Sequence, residues 1–212
     1  MPTERFYRLP KEKKRTILEA AKKEFARVPY EKASINQIIH NADISRGSFY
    51  TYFEDKQDVL RYLLEEEKDE VENVCRKALE ENHGDYLKML ECLFEHFVMM
   101  LQSTKETLEM ARNVFSHQEN AKLIGIGEFP NPKTGVCEEG PILWIWDKVD
   151  QTRMRWGDVT HFKALVTLGI SALMISVKQY YEYPESLELV RENYHMTLDM
   201  LRYGAYQEKV KN

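Results

Sequence analysis

S-I-N-Q-I-I-H-N-A-D-I-S-R-G-S-F-Y-T-Y-F-E-D-K-Q-D-V-L, running from Ser34 to Leu60, is the stretch on which the reading of this chain turns. Ser34 followed three residues later by Gln37 reads as a capping box. Ile35, Ile38, Ile39 and Ala42 then follow at i, i+3, i+4 and i+7, which predicts a short helix from Ile35 to Asn41. Asp43 marks a turn, because Asp tolerates left-handed backbone angles better than most residues. Ser45 is the next N-cap and opens a helix of about two turns, Arg46 to Phe53. Asp55 caps a long helix carrying Val59, Leu60, Leu63, Leu64, Val71 and Val74. Two short capped helices joined by a tight turn make a helix-turn-helix, the arrangement that reads DNA.

The faces of the second short helix differ in kind. Phe49, Tyr52 and Phe53 group on the side that needs a core. Gly47, Tyr50 and Thr51 group on the other, flanked by Arg46 and Ser48. Such a face can be a plain solvated surface, or it can supply hydrogen bonds to phosphates and base edges, with Gly47 letting backbone approach a groove closely. Upstream, Ile17, Leu18, Ala21, Phe25 and Val28 form one stripe of a supporting helix, about Pro10 to Arg27, which Pro29 stops.

Three blocks resemble the tetracycline-repressor-like (TetR/AcrR-type) family of transcription regulators. I-L-E-A-A-K-K-E-F-A, Ile17 to Ala26, is similar to that family's first helix. Ser34 to Ser45 is similar to its second helix and turn, and R-G-S-F-Y-T-Y-F-E-D-K-Q-D-V-L, Arg46 to Leu60, to its recognition helix and the start of helix four. In the last block the family pattern falls on Gly47, Tyr50, Phe53, Lys56 and Leu60 without a gap. Pro29 and Asp43 depart from the glycines usual at the two turns, and both residues are turn-compatible. The resemblance implies phosphate contacts from Ser34, Tyr50 and Lys56, and base-edge reading from Arg46, Ser48 and Thr51. Tyr52 falls between core and DNA backbone. The basic arm from Arg5 to Arg15 is a candidate for further phosphate or minor-groove contacts, or an unstructured terminus.

Composition frames this reading. The chain has 212 residues, 43% hydrophobic and 31% charged, with a formal charge of −5, which fits a globular protein and excludes a disordered one. The charge is split. Up to Arg61 there are 13 Lys/Arg against 9 Asp/Glu, a formal +4; the rest carries 17 against 26, or −9. A basic reader joined to an acidic second domain accounts for that asymmetry, as does an ordinary solvated basic surface. Three distant cysteines, Cys75, Cys92 and Cys137, give neither a disulfide framework nor a zinc motif. The N-terminus lacks a signal-peptide core, and the apolar run from Leu165 to Val177 is shorter than the ~20 residues of a membrane span. The expected compartment is the cytoplasm.

The expected architecture is all-α: a helix-turn-helix domain over residues 1–60 and a helical ligand-binding and dimerisation domain over 61–212. Further helices are expected from Gly84–Asp85 onward through Leu101, over Lys105 to Ser116, from Pro141, over Asp158 to Tyr181, and over Glu185 to Tyr203. Gly125, Gly127, Pro130, Pro132, Gly135, Gly140 and Pro141 mark a long loop, about 118–140, that is a candidate lid. Gly169, Ala172 and Ser176 form a small-residue stripe, and Leu187, Val190, Tyr194, Leu198 and Leu201 an apolar seam. Duplicated by a two-fold axis, these two helices would make a four-helix interface, and the resemblance implies such a homodimer. The alternative is packing within one protomer.

Phe97, Met100, Met110, Phe115, Trp144 and Met174 are the candidate lining of a cavity for a small lipophilic effector, although each also suits ordinary core. No cofactor, metal or catalytic motif is legible: the histidines are dispersed, and G-I-S-A-L at Gly169 lacks the second glycine of a nucleophile elbow. The reading is a ligand-responsive, homodimeric repressor bound to a palindromic DNA operator. The alternatives are a constitutive architectural DNA-binding protein and, more remotely, a helical enzyme or scaffold.

Overall fold

The computed structural model describes residues 2–115 and 139–205, and within them every regular element is helical. In chain order these are α1 (Glu4–Tyr7), α2 (Lys11–Arg27), α3 (Ile35–Asn41), α4 (Arg46–Tyr52), α5 (Lys56–Glu81), α6 (Tyr86–Gln102), α7 (Lys105–Phe115), α8 (Glu139–Lys148), α9 (Val159–Glu182) and α10 (Leu187–Ala205). The chain forms two compact units. One takes the chain up to Glu70 together with the segment from Met100 through α7; the other takes Val71–Met99 together with α8, α9 and α10.

In the first unit the predicted caps and turns form where side chain and backbone are neighbours. Ser45 Oγ accepts the Ser48 amide at 3.0 Å and starts α4. Asp55 Oδ1 accepts the Asp58 amide at 3.0 Å and starts α5. Asp43 takes φ 49°, the left-handed value that the α3–α4 turn requires. The core gathers Ile17, Ala21 and Phe25 of α2, Ile38 of α3, Phe49 and Phe53, and Val59, Leu60 and Leu63 of α5. Two additions come from outside the predicted motif. Phe6 of α1 is wholly buried, with its ring centroid 4.7 Å from that of Phe53. Val114 of α7 is also buried there.

The capping box predicted at Ser34 is replaced. Ser34 makes no side-chain cap, and Gln37 turns instead to Asn41, its Nε2 donating to Oδ1 at 3.0 Å. The Ser34 amide donates to Glu24 Oε1 at 2.8 Å, a carboxylate delivered from α2. A Glu on the preceding helix, at the i+7 position of the stripe begun by Ile17, reaches this amide from inside the core.

In the second unit the turn from α5 to α6 is the tightest point. Gly84 has φ +73°, and a Cβ there would collide with the Asp150 amide and lie 2.9 Å from the Lys148 carbonyl. The next residue, Asp85, is the charged centre of the unit: it accepts Arg202 Nη1 and Arg153 Nη2, each at 2.8 Å, and its Oδ1 accepts the Lys88 amide at 3.0 Å. Burial alone would raise the Asp85 carboxyl. The Arg202 and Lys88 hydrogen bonds and the charges of Arg202 and Arg153 outweigh it, holding the group below its ordinary value.

The helix α9 is long and apolar enough, by length and composition, to cross a membrane, which the 13-residue apolar run alone did not suggest. Its Phe162, Leu165, Val166, Leu173 and Tyr180 are buried in the unit. Phe162 meets Tyr86 and Trp146 at ring-centroid distances of 5.3 and 5.0 Å, as a core helix of a bundle does.

Candidate nucleic-acid interface

The core faces of α3 and α4 fix what remains outside. With Ile38, Phe49 and Phe53 fully buried, the exposed side of α4 carries Arg46, Gly47 and Tyr50, and Ser48, Thr51 and Tyr52 lie half-buried at its flanks. The Arg46 guanidinium carbon stands 5.6 Å from the Tyr50 ring centroid, and its Nη1 donates to Asn36 Oδ1 at 3.3 Å. These contacts hold a cation and an aromatic side by side on the surface, both with donor capacity to spare. Thr51 Oγ1 donates back to the Gly47 carbonyl at 2.8 Å and keeps its acceptor lone pairs. Ser48 Oγ pairs with Ser45 Oγ at 2.9 Å. Tyr52 leans on the core, 6.3 Å from the Phe6 ring, so it is chiefly a packing residue.

Gly47 meets nothing nearer than Ser45 Oγ at 3.9 Å from an added Cβ. Among the described residues nothing requires a glycine there, so the close approach of an external backbone is compatible with its size. Beside this face lies a groove of about 390 Å³ lined by Tyr30, Ser34, Ile35, Asn36, Arg46, Tyr50 and Lys56 among others. Ser34, which makes no side-chain cap on its own helix, lines this groove.

Lys56, expected as a phosphate contact, lines this groove and is also bonded within the protein. Its Nζ donates to the carbonyls of Tyr30 at 2.7 Å, Glu31 at 3.0 Å and Ala33 at 3.1 Å, and lies 4.7 Å from the Tyr30 ring centroid. An ammonium has three donors, and all three are engaged. Burial also lowers its pKa, with Glu31 and Asp55 opposing that effect.

The N-terminal segment also differs from a free basic arm. Thr3 donates from its amide to the Tyr52 carbonyl at 2.9 Å and from its hydroxyl to the Thr51 carbonyl at 2.7 Å, satisfying carbonyls at the end of α4. Arg8 is turned to Glu4 at 2.9 Å, and Arg15 to Glu12 at 2.6 Å. Sequence reasoning passed over Thr3, Phe6 and Glu24. Only Glu24 carried a signal, a carboxylate on an otherwise apolar stripe.

The candidate effector residues fall into different parts of the chain. Met100 and Met110 belong to the first unit, where Met110 packs against the core built on Phe25 and Phe49. Phe97, Trp144 and Met174 are half-buried in the second, with the Arg76 guanidinium carbon 5.3 Å from the Trp144 ring centroid. The Phe115 side chain and the expected lid lie outside the described residues, apart from the start of α8 at Glu139, two residues before the expected Pro141.

Of the residues expected to face a second copy, five are buried within the protomer and three are half-buried. Gly169 makes room for Tyr86 and Leu90; an added Cβ would stand 2.5 Å from Leu90 Cδ1 and 3.1 Å from Tyr86 Oη. Ser176, Val190, Tyr194 and Leu198 are buried, and Ala172, Leu187 and Leu201 are half-buried. Tyr194 Oη donates to the Leu90 carbonyl at 3.1 Å, and Arg191 grips Glu95 with Nε at 2.7 Å and Nη2 at 3.0 Å. The apolar surface of this helix pair is a different stripe: Leu168 and Ile175 on α9, and Leu189, Met196, Met200 and Tyr203 on α10, the last two 74% and 79% exposed.

Residues 17–63 match the family described as bacterial regulatory proteins, tetR family. The chain is 32% identical over 92 residues to the uncharacterised HTH-type transcriptional regulator YuxN of Bacillus subtilis (strain 168), a match covering 42% of this chain and 31% of that protein. The alignment thus spans about a third of that relative's length. A crystal structure of a TetR family transcriptional regulator from Chloroflexus aurantiacus J-10-fl superposes over 98% of this chain and 100% of its own, with a TM-score of 0.52 and 20% identity. A gamma-butyrolactone receptor (ArpA-like protein) aligns over 95% of this chain and 100% of its own, with a TM-score of 0.47 and 18% identity.

Proposed function

We propose, from the match of residues 17–63 to the tetR family of bacterial regulatory proteins, that the chain is a regulator of that family, a homodimeric repressor released from its operator by a small lipophilic molecule. The observation that carries the DNA-binding part is the exposed Arg46–Gly47–Tyr50 face of α4 beside the groove at Ser34. Arg46, Ser48 and Thr51 read base edges, and Tyr50 and Ser34 hold phosphates on either side of the groove.

The second copy packs on the exposed stripe of α9 and α10. Its length and its spacing, seven residues between Leu168 and Ile175 and again between Leu189 and Met196, suit a helix-pair interface. Two recognition helices related by that axis would enter successive major grooves about 34–36 Å apart on a near-palindromic site. The effector acts in the second unit, and by linkage it weakens operator affinity by the same factor that operator weakens effector affinity, typically about 5–150-fold.

Selection of bound duplexes from a random pool tests this directly. The expected outcome is one two-fold symmetric consensus bound by two chains. Recovery of no consensus, or binding by a single chain to an asymmetric site, would overturn the corresponding part.

A further inference from the structure

We infer that the N-terminal segment is a positioning element for operator recognition: Thr3, anchored by Phe6, holds the last turn of α4 in shape so that Thr51 meets its base edge in a fixed register. The inference rests on the DNA-binding function proposed above and names what presets that reading surface.

A helix of seven residues is marginal by itself, and its last carbonyls have no partner inside it. The two ends of α4 are secured differently. At the first turn the cap is local: Ser45 Oγ accepts the Ser48 amide at 3.0 Å, and the Phe49 amide donates to the Ser45 carbonyl at 3.1 Å. At the last turn the closing amide is that of Phe53, which donates to the Phe49 carbonyl at 2.9 Å. The carbonyls beyond it are taken from outside the motif. Thr3, 48 positions from Thr51 in the chain, donates its hydroxyl to the Thr51 carbonyl at 2.7 Å and its amide to the Tyr52 carbonyl at 2.9 Å.

Thr3 is itself exposed and needs an anchor. Phe6 supplies it: wholly buried, its ring lies 4.7 Å from that of Phe53, 5.1 Å from Tyr62 and 6.3 Å from Tyr52, centroid to centroid. The Phe6 amide donates to the Thr3 carbonyl at 3.0 Å, so anchor and donors form one unit. Tyr62 belongs to α5, and the same unit therefore joins the end of α4 to the helix that follows it. Without the Thr3 donors a fraction of the free protein frays at the last turn of α4, and operator binding must first rebuild that turn. Thr51 stands on it. Arg46 and Ser48 stand on the first turn, which Ser45 secures. The loss falls on the base edge read by Thr51 and spares those read by Arg46 and Ser48.

The test uses the full chain. Wild type, Thr3→Ser, Thr3→Val and Thr3→Pro are compared for affinity per active molecule across a salt series and for the consensus each selects from a random pool of duplexes. Amide hydrogen exchange is followed in the free proteins. Serine keeps both donors, valine keeps the amide, and proline removes both at a φ of −74° that its ring already prefers. The expected result is wild-type binding by Thr3→Ser, about threefold weakening in Thr3→Val and about tenfold in Thr3→Pro, with a wild-type salt slope throughout. Exchange quickens at the Phe53 amide of Thr3→Pro and keeps its wild-type rate at Phe49. The Thr3→Pro consensus relaxes at the position that Thr51→Ala also relaxes and at no other. A Thr3→Pro chain with wild-type affinity and consensus, whatever its melting temperature, would reduce the segment to fold stability and overturn the proposal alone. Weakening with a reduced salt slope, an intact consensus and unchanged Phe53 exchange would make the segment a direct DNA contact and overturn it too. A wild-type chain that selects no consensus would overturn the DNA-binding reading, and this inference with it.

Discussion

Asn113 and Ala26 stand 87 residues apart in the chain, and the side-chain amide of the first donates to the backbone carbonyl of the second at 2.8 Å. The same nitrogen donates to the Phe25 carbonyl at 3.0 Å. The last carbonyls of a helix have no partner within it, so α7 closes the C-terminal end of α2 and drives Val114 into the same core. Replacing Asn113 with Ala leaves two partly buried carbonyls unpaired and is expected to cost about 1–3 kcal/mol. Urea unfolding of the variant measures the loss, and hydrogen exchange locates it at the end of α2.

Gly47 separates stability from binding. An added methyl group meets only an ordinary contact with Ser45 Oγ at 3.9 Å among the described residues, and alanine in place of a helical glycine stabilises by about 0.5–1 kcal/mol. Gly47→Ala should therefore raise the melting temperature while weakening operator binding. A variant that binds as tightly as wild type would show that DNA backbone does not approach this residue.

Phe6 ties the N-terminal segment to the end of the recognition helix. Its complete burial against Phe53 and Tyr62 predicts that Phe6→Ala costs about 3–5 kcal/mol. Thr3→Val, which deletes only the bond to the Thr51 carbonyl, should cost about 1 kcal/mol. Denaturant midpoints of the two variants check this order.

Asp85 makes stability depend on pH in a stated direction. Its carboxyl is held below its ordinary value of 3.8 by the arginines and the Lys88 amide, against the cost of burial. A carboxylate depressed in the folded state contributes stability that is complete above the unfolded value and is lost as pH falls through the folded one. Asp85→Asn should cost on the order of 3 kcal/mol near neutrality and flatten the stability profile below about pH 4. Melting temperatures of both proteins from pH 2 to 7 would show the curves converging at the acid end.

The exposed stripe on α9 and α10 predicts the effect of a charge. Met200→Glu should leave the fold intact, since the side chain is 74% exposed in the protomer, and, if the proposed dimer packs on this stripe, yield a monomer with weakened operator binding. Sedimentation velocity reads the association state, and an unchanged dimer would move the interface elsewhere.

Elements set by neighbouring residues were legible. The α3 boundaries, Ile35 and Asn41, coincide with those expected from the isoleucine spacing, and α4 differs by a single residue at its end. The left-handed turn at Asp43 and the caps at Ser45 and Asp55 also lie where the sequence places them. The α1 helix was not legible, because four residues have no periodicity and its anchor, Phe6, earns its place only through contacts with Phe53 and Tyr62. Ser34 shows the limit of a local rule: Gln37 has the right spacing for the capping box, but Glu24 comes from another helix and takes the amide first.

The same distinction separates the two parts of the chain. Spacing, caps and the unbroken Gly47–Leu60 pattern determined from sequence that this protein has a helix-turn-helix, because each of those signals acts within a turn or two of chain. Tertiary structure alone decided which stripe of α9 and α10 is covered. Both helices carry two apolar stripes, and hydrophobicity does not rank them; Gly169 admits Tyr86 and Leu90, so the small-residue side turns inward and Leu168, Ile175, Met196 and Met200 are left outside. It also brought the carbonyls of Tyr30, Glu31 and Ala33 onto the Lys56 ammonium, since three converging carbonyls from another segment are invisible in a linear spacing.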